Sequence, residues 1–361
     1  MNRMPEPQTG PTVWYGPEMA SLRNDWLVHL SAVEIRELET AAEQFIAKGL
    51  NIGAMDQSQF SLPTLGPKIS ALRNDLINGR GFFLLRGVPV ENYNERESTT
   101  IFYGVGTHLG NARSQNSDGH VLGHVCNLDA DSIDPKVRVY QTNERQTFHT
   151  DSSDVVGLLC LQPAKKGGLS LLVSADTVFN EIRQSRPDLL EILLDPIATD
   201  RRGEVPEGML PYLLIPVFSF LKGRITTFYQ RQYIESAQRF EDAPRLTSRH
   251  QEALDMFDDL CNSPELNFSM MLRKGDFQFV YNHALLHDRT TFVDWPEPEK
   301  RRHLLRLWLS IPGDRHLPQI FASRYGSVKI GDRGGIVVPG TKFRIPLRAE
   351  LDAPSSNPIR S

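Results

Sequence analysis

Apolar residues in the first part of the chain recur at a helical period. From Ser31 onward, Ile35, Leu38, Ala42 and Phe45 fall on one face, Ser31 and Glu34 have capping-box spacing, and Gly49 supplies a stop, which predicts an amphipathic helix. A second helix is predicted over 67–78, with Pro67 at its start and Gly79 after its end. The texture then changes. GRGFFLLRGVPV is a short apolar run between glycines and a proline, which reads as a buried strand. Further strands are expected at 137–143, 154–162, 169–174, 224–229, 276–283 and 303–311, with one helix over 247–261 among them. Many short strands with helices before and between them predict a mixed α/β chain with a β core, a β-sandwich or jelly roll decorated by helices.

The flanks of this pattern differ from it. Residues 1–20 hold four prolines and read as an irregular arm, and the tail over 348–361 is polar. One domain is expected over 21–347. The segment 195–212, rich in charge, proline and glycine, reads as a long loop and a candidate lid.

Composition narrows the classes. The chain has 361 residues, 40% of them hydrophobic, and a net charge of −4. This suits a globular chain with a large core and offers no broad positive field for nucleic acid and no basic helix for a membrane surface. Cys126, Cys160 and Cys261 are odd in number and far apart, as expected of reduced core thiols in a cytoplasmic protein. The first residues lack the apolar core of an export signal, and no run of about 18 apolar residues occurs. The expected partner is a small molecule; oligomeric state has no signature here.

The chemistry concentrates in FHTDSSD, which places His149 and Asp151 two residues apart after a strand-like run. A second such pair, His250 and Glu252, lies in a helical pattern, where positions i and i+2 diverge and do not readily grip one ion. On a strand the same spacing puts both groups on one face. A site with two histidines and one carboxylate leaves three positions of an Fe(II) ion open. The third ligand is sought in GDFQFVYNHALLHDRTTF, where His283 and His287 share strand parity. His287 is preferred for its place beside polar residues at the strand end, and His283 stays open.

In RRHLLRLWLSIP, alternation aims Arg302, Leu304, Arg306 and Trp308 at one side. Two guanidinium groups aimed into a barrel call for an anion, because burying such a charge unpaired is costly and its planar fork suits carboxylates. Structural ion pairs with acidic side chains are the competing reading. Ser170, in KKGGLSLLVS, offers a hydroxyl to the same anion. Gln141, Asn143 and Gln146 lie near the metal pair in sequence and are candidate polar contacts to an amine or amide of a substrate.

The ordered set FHTDSSD, GGLSLLVS, NHALLHDRTTF and RRHLLRLWLS resembles the Fe(II)- and 2-oxoglutarate-dependent dioxygenases of the taurine dioxygenase (TauD/TfdA) and clavaminate synthase type. The resemblance runs over roughly residues 80–311. It implies a double-stranded β-helix, iron on His149, Asp151 and His287, and the distal carboxylate of 2-oxoglutarate on Arg302 with Ser170 beside it. It also implies that Arg306 meets the acid group of the substrate. O2 is the co-substrate, and hydrogen abstraction from a small carboxylate-bearing compound such as an amino acid leads to hydroxylation, desaturation or ring closure, for example to an aziridine. Asp151 argues against halogenation, since related halogenases lack this carboxylate. Asp288 departs from the small residue common after the distal histidine. Two other readings compete: a non-catalytic jelly-roll binding protein, and a zinc hydrolase, which leaves the arginine pair unexplained.

Overall fold

The computed structural model describes residues 4–129, 138–206, 208–336 and 342–351. Two sheets face each other. The larger has seven strands, running Leu27–His29, Phe82–Arg86, Phe277–Tyr281, Val155–Gln162 and His303–Ser310, with Asn111–Arg113 and Gly123–Cys126 both paired to the last of these. The smaller has four, in the order Asn267–Met270, Ser170–Ser174, Leu285–Arg289 and Gln146–His149. All pairings are antiparallel except that of Leu27–His29 with Phe82–Arg86. This is the jelly roll expected from the sequence.

Strand alternation sorts the side chains into layers. Phe277, Phe279 and Tyr281, with Leu305, Leu307 and Leu309, point outward into a core shared with the helices Ala32–Ala47, Leu65–Asn78 and Glu95–Leu109. Phe148, Val173 and Leu286 point outward from the small sheet against the helices Ala175–Ser185, Pro187–Leu194 and Ser248–Asn262. Between the sheets lie Phe82, Leu84, Val156, Leu172, Phe268, Val280, Leu304 and Trp308. The opposite parity therefore sends Ser170, His287, Arg289 and Arg306 to the same interior as Trp308. A polar set is thus gathered at one end of a space otherwise filled by apolar side chains.

The Ser31 and Glu34 capping box is present and starts the helix Ala32–Ala47. The helix predicted over 67–78 runs Leu65–Asn78, with Gly79 as its cap. Four expectations change. Residues 138–143 form a short 3-10 turn, Val139–Gln141, rather than a strand; residue 137 lies outside the described part. The segment expected as a loop over 195–212 is a loop only between two paired strands, Ile197–Asp200 and Tyr212–Ile215, so its ends form a hairpin. Part of the N-terminal arm is ordered: Trp14 is buried against Phe82 and Phe268, at ring separations of 5.9 and 5.7 Å, and a helix covers Gly16–Ser21. Finally, the chain reverses at residues 282–284, so His283 and His287 do not share a strand. Residues 352–361 of the tail lie outside the described part.

Candidate active site

His149 ends one strand of the small sheet and faces His287 on the next, in register. Their rings lie 4.1 Å apart between centroids. Asp151 is not on the strand, as expected from the sequence, but in the turn that follows. That turn is fixed on both sides: the Thr150 amide donates to the Tyr229 carbonyl at 2.9 Å, and the Asp151 amide donates to Asn282 Oδ1 at 3.1 Å. Asn282 in turn donates to the Ser153 carbonyl at 3.0 Å. The carboxylate is thereby delivered 3.9 Å from His149 Nε2 and 3.7 Å from His287 Nε2.

Protonation favours these three groups as metal donors. His149 Nδ1 donates to the Thr147 carbonyl at 2.8 Å, which leaves the Nε2 lone pair facing inward. Burial, reinforced by His149, lowers the His287 pKa to about 3. Burial also lowers that of His149. For Asp151, burial acts upward but is outweighed, Arg306 foremost and the Trp308 indole adding to it, so that the carboxyl is held below its ordinary range. Two neutral imidazoles and an anionic carboxylate at these separations fit one ion with bonds of about 2.0–2.2 Å.

Around the carboxylate stands a set of groups that sequence reasoning named only in part. Trp308 Nε1 donates to Asp151 Oδ2 at 2.8 Å. Arg306 Nη1 lies 3.8 Å from the same oxygen, and its Nε donates to Gln115 Oε1 at 2.7 Å. The Arg306 guanidinium also lies over the rings of Tyr140 and Trp308, at 4.5 and 5.0 Å. Alternation placed Trp308 on this face in advance; Gln115 comes from a loop and Tyr140 from the 3-10 turn Val139–Gln141, and neither sequence carries a signal of its place.

Arg302 and Ser170 lie on the other flank. Arg302 is buried and its Nη1 has no hydrogen-bond partner among the described residues. Burial lowers its pKa to about 10. Ser170 is buried and donates to Gln278 Oε1 at 3.0 Å.

The remaining candidates divide. Gln141 is buried, but its side-chain oxygen is taken by the Arg138 amide at 3.1 Å. Asn143 is exposed. With the 3-10 turn in place of a strand, the shared parity that linked both residues to His149 lapses. The polar side chain at the metal donors is Gln146, whose amide nitrogen lies 2.9 Å from His149 Nε2. Asp288 points away from the site and is gripped by Arg145 through contacts of 2.9 and 2.6 Å, so it leaves the position of His287 undisturbed.

His283, the alternative ligand, lies fully buried in a different cluster. Its Nε2 is 2.8 Å from Asp154 Oδ1, and with Asp314 these groups form a second arrangement of metal-type donors. The Arg333 guanidinium fills it, with Nε 2.7 Å from Asp154 and Nη2 2.8 Å from Asp314. It is an ion-pair network, not a cation site.

Residues 42–308 match the family described as taurine catabolism dioxygenase TauD, TfdA family. The chain is 30% identical to FR-33289 synthase of Streptomyces rubellomurinus over 330 residues, covering 90% of this chain and 96% of that protein. It is also 30% identical to the taurine hydroxylase-like protein SAT17 of Stachybotrys chartarum over 305 residues, 81% of this chain and 77% of that one. Its fold is similar to that of an asparagine oxygenase solved with Fe(II), 3-hydroxyasparagine and succinate, with a TM-score of 0.62 and 16% identity, over 79% of this chain and 93% of that one. Among the described residues no helix is long and apolar enough to cross a membrane. The chain belongs to the TauD/TfdA family and is a dioxygenase dependent on iron(II), 2-oxoglutarate and O2.

Proposed function

We propose that His149, Asp151 and His287 hold the iron, that Arg302 with Ser170 binds the remote carboxylate of 2-oxoglutarate, and that the substrate is a small carboxylate-bearing molecule such as an amino acid. Hydroxylation, desaturation and ring closure all lie within this chemistry. The observation that carries the reading is the convergence of two unprotonated imidazoles and one carboxylate within 4.8 Å of one another, at the end of a barrel that also buries Arg302 with an unpaired nitrogen. A passive binding protein needs neither.

Iron and 2-oxoglutarate together supply the activation of O2 for oxidation of a substrate C–H bond. The protein supplies the geometry. Trp308 and Arg306 hold Asp151 anionic and fix its orientation. The Thr147 carbonyl selects the His149 tautomer that leaves Nε2 unprotonated. Arg306, flanked by Tyr140 and Trp308, offers its outer nitrogens to an acid group of the substrate beside the metal. Tyr233 and Arg138 receive the tip of the 197–215 hairpin: Arg138 Nη1 donates to Tyr233 at 2.8 Å, and its Nη2 pairs with Glu204 at 2.9 Å. This arrangement supports a role for the hairpin in covering the site and excluding water. The buried thiols of Cys160 and Cys261, in no disulfide, support a cytoplasmic location.

The test is an anaerobic titration of apo protein with Fe(II) and then 2-oxoglutarate, followed by the visible charge-transfer band of the chelate. A band that needs both additions and is lost in His149→Ala is expected. Its absence in the wild-type protein overturns the assignment.

A further inference from the structure

A second buried arginine stands beside the first. Arg289 follows His287 by two positions on the same strand, so it faces the same interior. Its register partner is Ser170. Arg289 and Arg302 both lie over the ring of Phe292, with guanidinium carbons 4.9 and 5.0 Å from its centroid. The two residues are only 6% and 5% exposed.

Neither guanidinium forms an ion pair among the described residues. Arg289 Nη2 donates to the Glu144 carbonyl and, at 3.5 Å, to that of Val139, while Arg289 Nε and Nη1 and Arg302 Nη1 have no hydrogen-bond partner among the described residues. The nearby acids do not reach either guanidinium: Asp288 is held by Arg145, and Asp294, whose charge favours both arginines, accepts the Arg302 amide at 2.7 Å through Oδ1 while its Oδ2 has no hydrogen-bond partner among the described residues. Two like charges buried together with three unpaired donor nitrogens are unfavourable unless an anion joins them. A carboxylate, with two oxygens and about four acceptor sites, meets that requirement.

We propose that Arg289 is a co-substrate-binding residue, which together with Arg302 clamps the remote carboxylate of a five-carbon dicarboxylic oxo acid. This rests on the assignment of Arg302 to 2-oxoglutarate. It adds a selectivity element: one cation attracts a carboxylate, whereas two uncompensated cations reject oxo acids that lack it, because the pair is then left buried and unneutralised.

The experiment compares anaerobic binding of 2-oxoglutarate and 2-oxovalerate, which carries a methyl group in place of the remote carboxylate, to the Fe(II)-loaded protein by calorimetry. Arg289→Leu is expected to weaken 2-oxoglutarate by about 10- to 100-fold, the worth of charge-assisted hydrogen bonds, to strengthen 2-oxovalerate because the rejecting pair is broken, and to leave Fe(II) affinity unchanged. Arg289→Lys, which keeps the charge without the fork, recovers part of the loss. Equal weakening of both oxo acids, or unchanged 2-oxoglutarate affinity, overturns the proposal. Arg289→Gln serves the same comparison should the leucine variant not fold. Failure of the underlying reading looks different: wild-type protein then shows no preference for 2-oxoglutarate, or Arg302→Leu keeps it in full.

Discussion

The Arg333 guanidinium donates to Asp154 at 2.7 Å across 179 residues of chain. Both are fully buried, and Asp154 is also met by His283 and by the amide of Ile311 at 2.8 Å each. Asp154 closes the turn that carries Asp151. Arg333→Met is expected to destabilise the protein by about 3–5 kcal/mol, because it leaves Asp154 and Asp314 buried without their cation. Urea unfolding measures it; a loss under about 1 kcal/mol means the network is dispensable.

The two histidines of NHALLH separate by role. His287→Ala is expected to abolish Fe(II) binding with the fold retained. His283→Gln is expected to keep Fe(II) binding and lose about 1–3 kcal/mol of stability, since Asp154 loses one of its buried partners. Calorimetric metal titration on both variants checks this, and the opposite pattern would return His283 to the metal.

The two arginines of RRHLLR divide in the same way. Arg302→Leu is expected to abolish turnover of 2-oxoglutarate with metal binding intact. Arg306→Leu is expected to hurt use of substrate more than uncoupled decay of 2-oxoglutarate, and by its place beside Asp151 to weaken Fe(II) binding only a few-fold. Succinate release with and without substrate measures the split; equal loss of both activities in both variants sinks it.

Acid should loosen a second contact. His124 Nε2 lies 2.8 Å from the Pro346 carbonyl, so it carries the proton, and its Nδ1 accepts from His303 Nε2 at 2.8 Å. Burial, with His124 and Arg302 nearby, lowers the His303 pKa to about 3 from an ordinary 6.5. The folded value is below the unfolded one, so this contribution is complete above pH 6.5 and declines as pH falls toward 3. Between pH 6.5 and 5 the loss is about 2 kcal/mol. His303→Gln keeps a donor and removes the titration; unfolding midpoints at pH 7.5 and 5 should then differ less than in wild type.

The legible parts of the molecule were those governed by local periodicity. Alternation along residues 303–310 placed Arg306 on the interior face with Leu304 and Trp308, and the capping box at Ser31 placed a helix start. A second capping box, Asn94 and Glu97, was equally visible and starts the helix Glu95–Leu109. The reversal at 282–284 was not legible, because it lacks glycine and proline and is fixed by Asn282 bonding to residues 129 or more positions away. Likewise VRVYQTN has the composition of a strand, yet 139–141 turn where Gln141 caps the Arg138 amide. Tertiary contacts overrode propensity there. Arg289 was readable as a charged residue on the interior parity of its strand, once the strand itself was known to begin after the reversal.

The turn that carries Asp151 is held from downstream. Gly335 donates to the Ser152 carbonyl at 2.7 Å, and a Cβ on Gly334, at φ +78°, would stand 2.9 Å from that same oxygen. On the ribosome, then, the strands that carry His149 and His287 emerge well before the segment that locks Asp151 between them. The bonds that hold the Asp151 turn in place therefore form only after residues 334–335 have been made, later than the two strands that flank it.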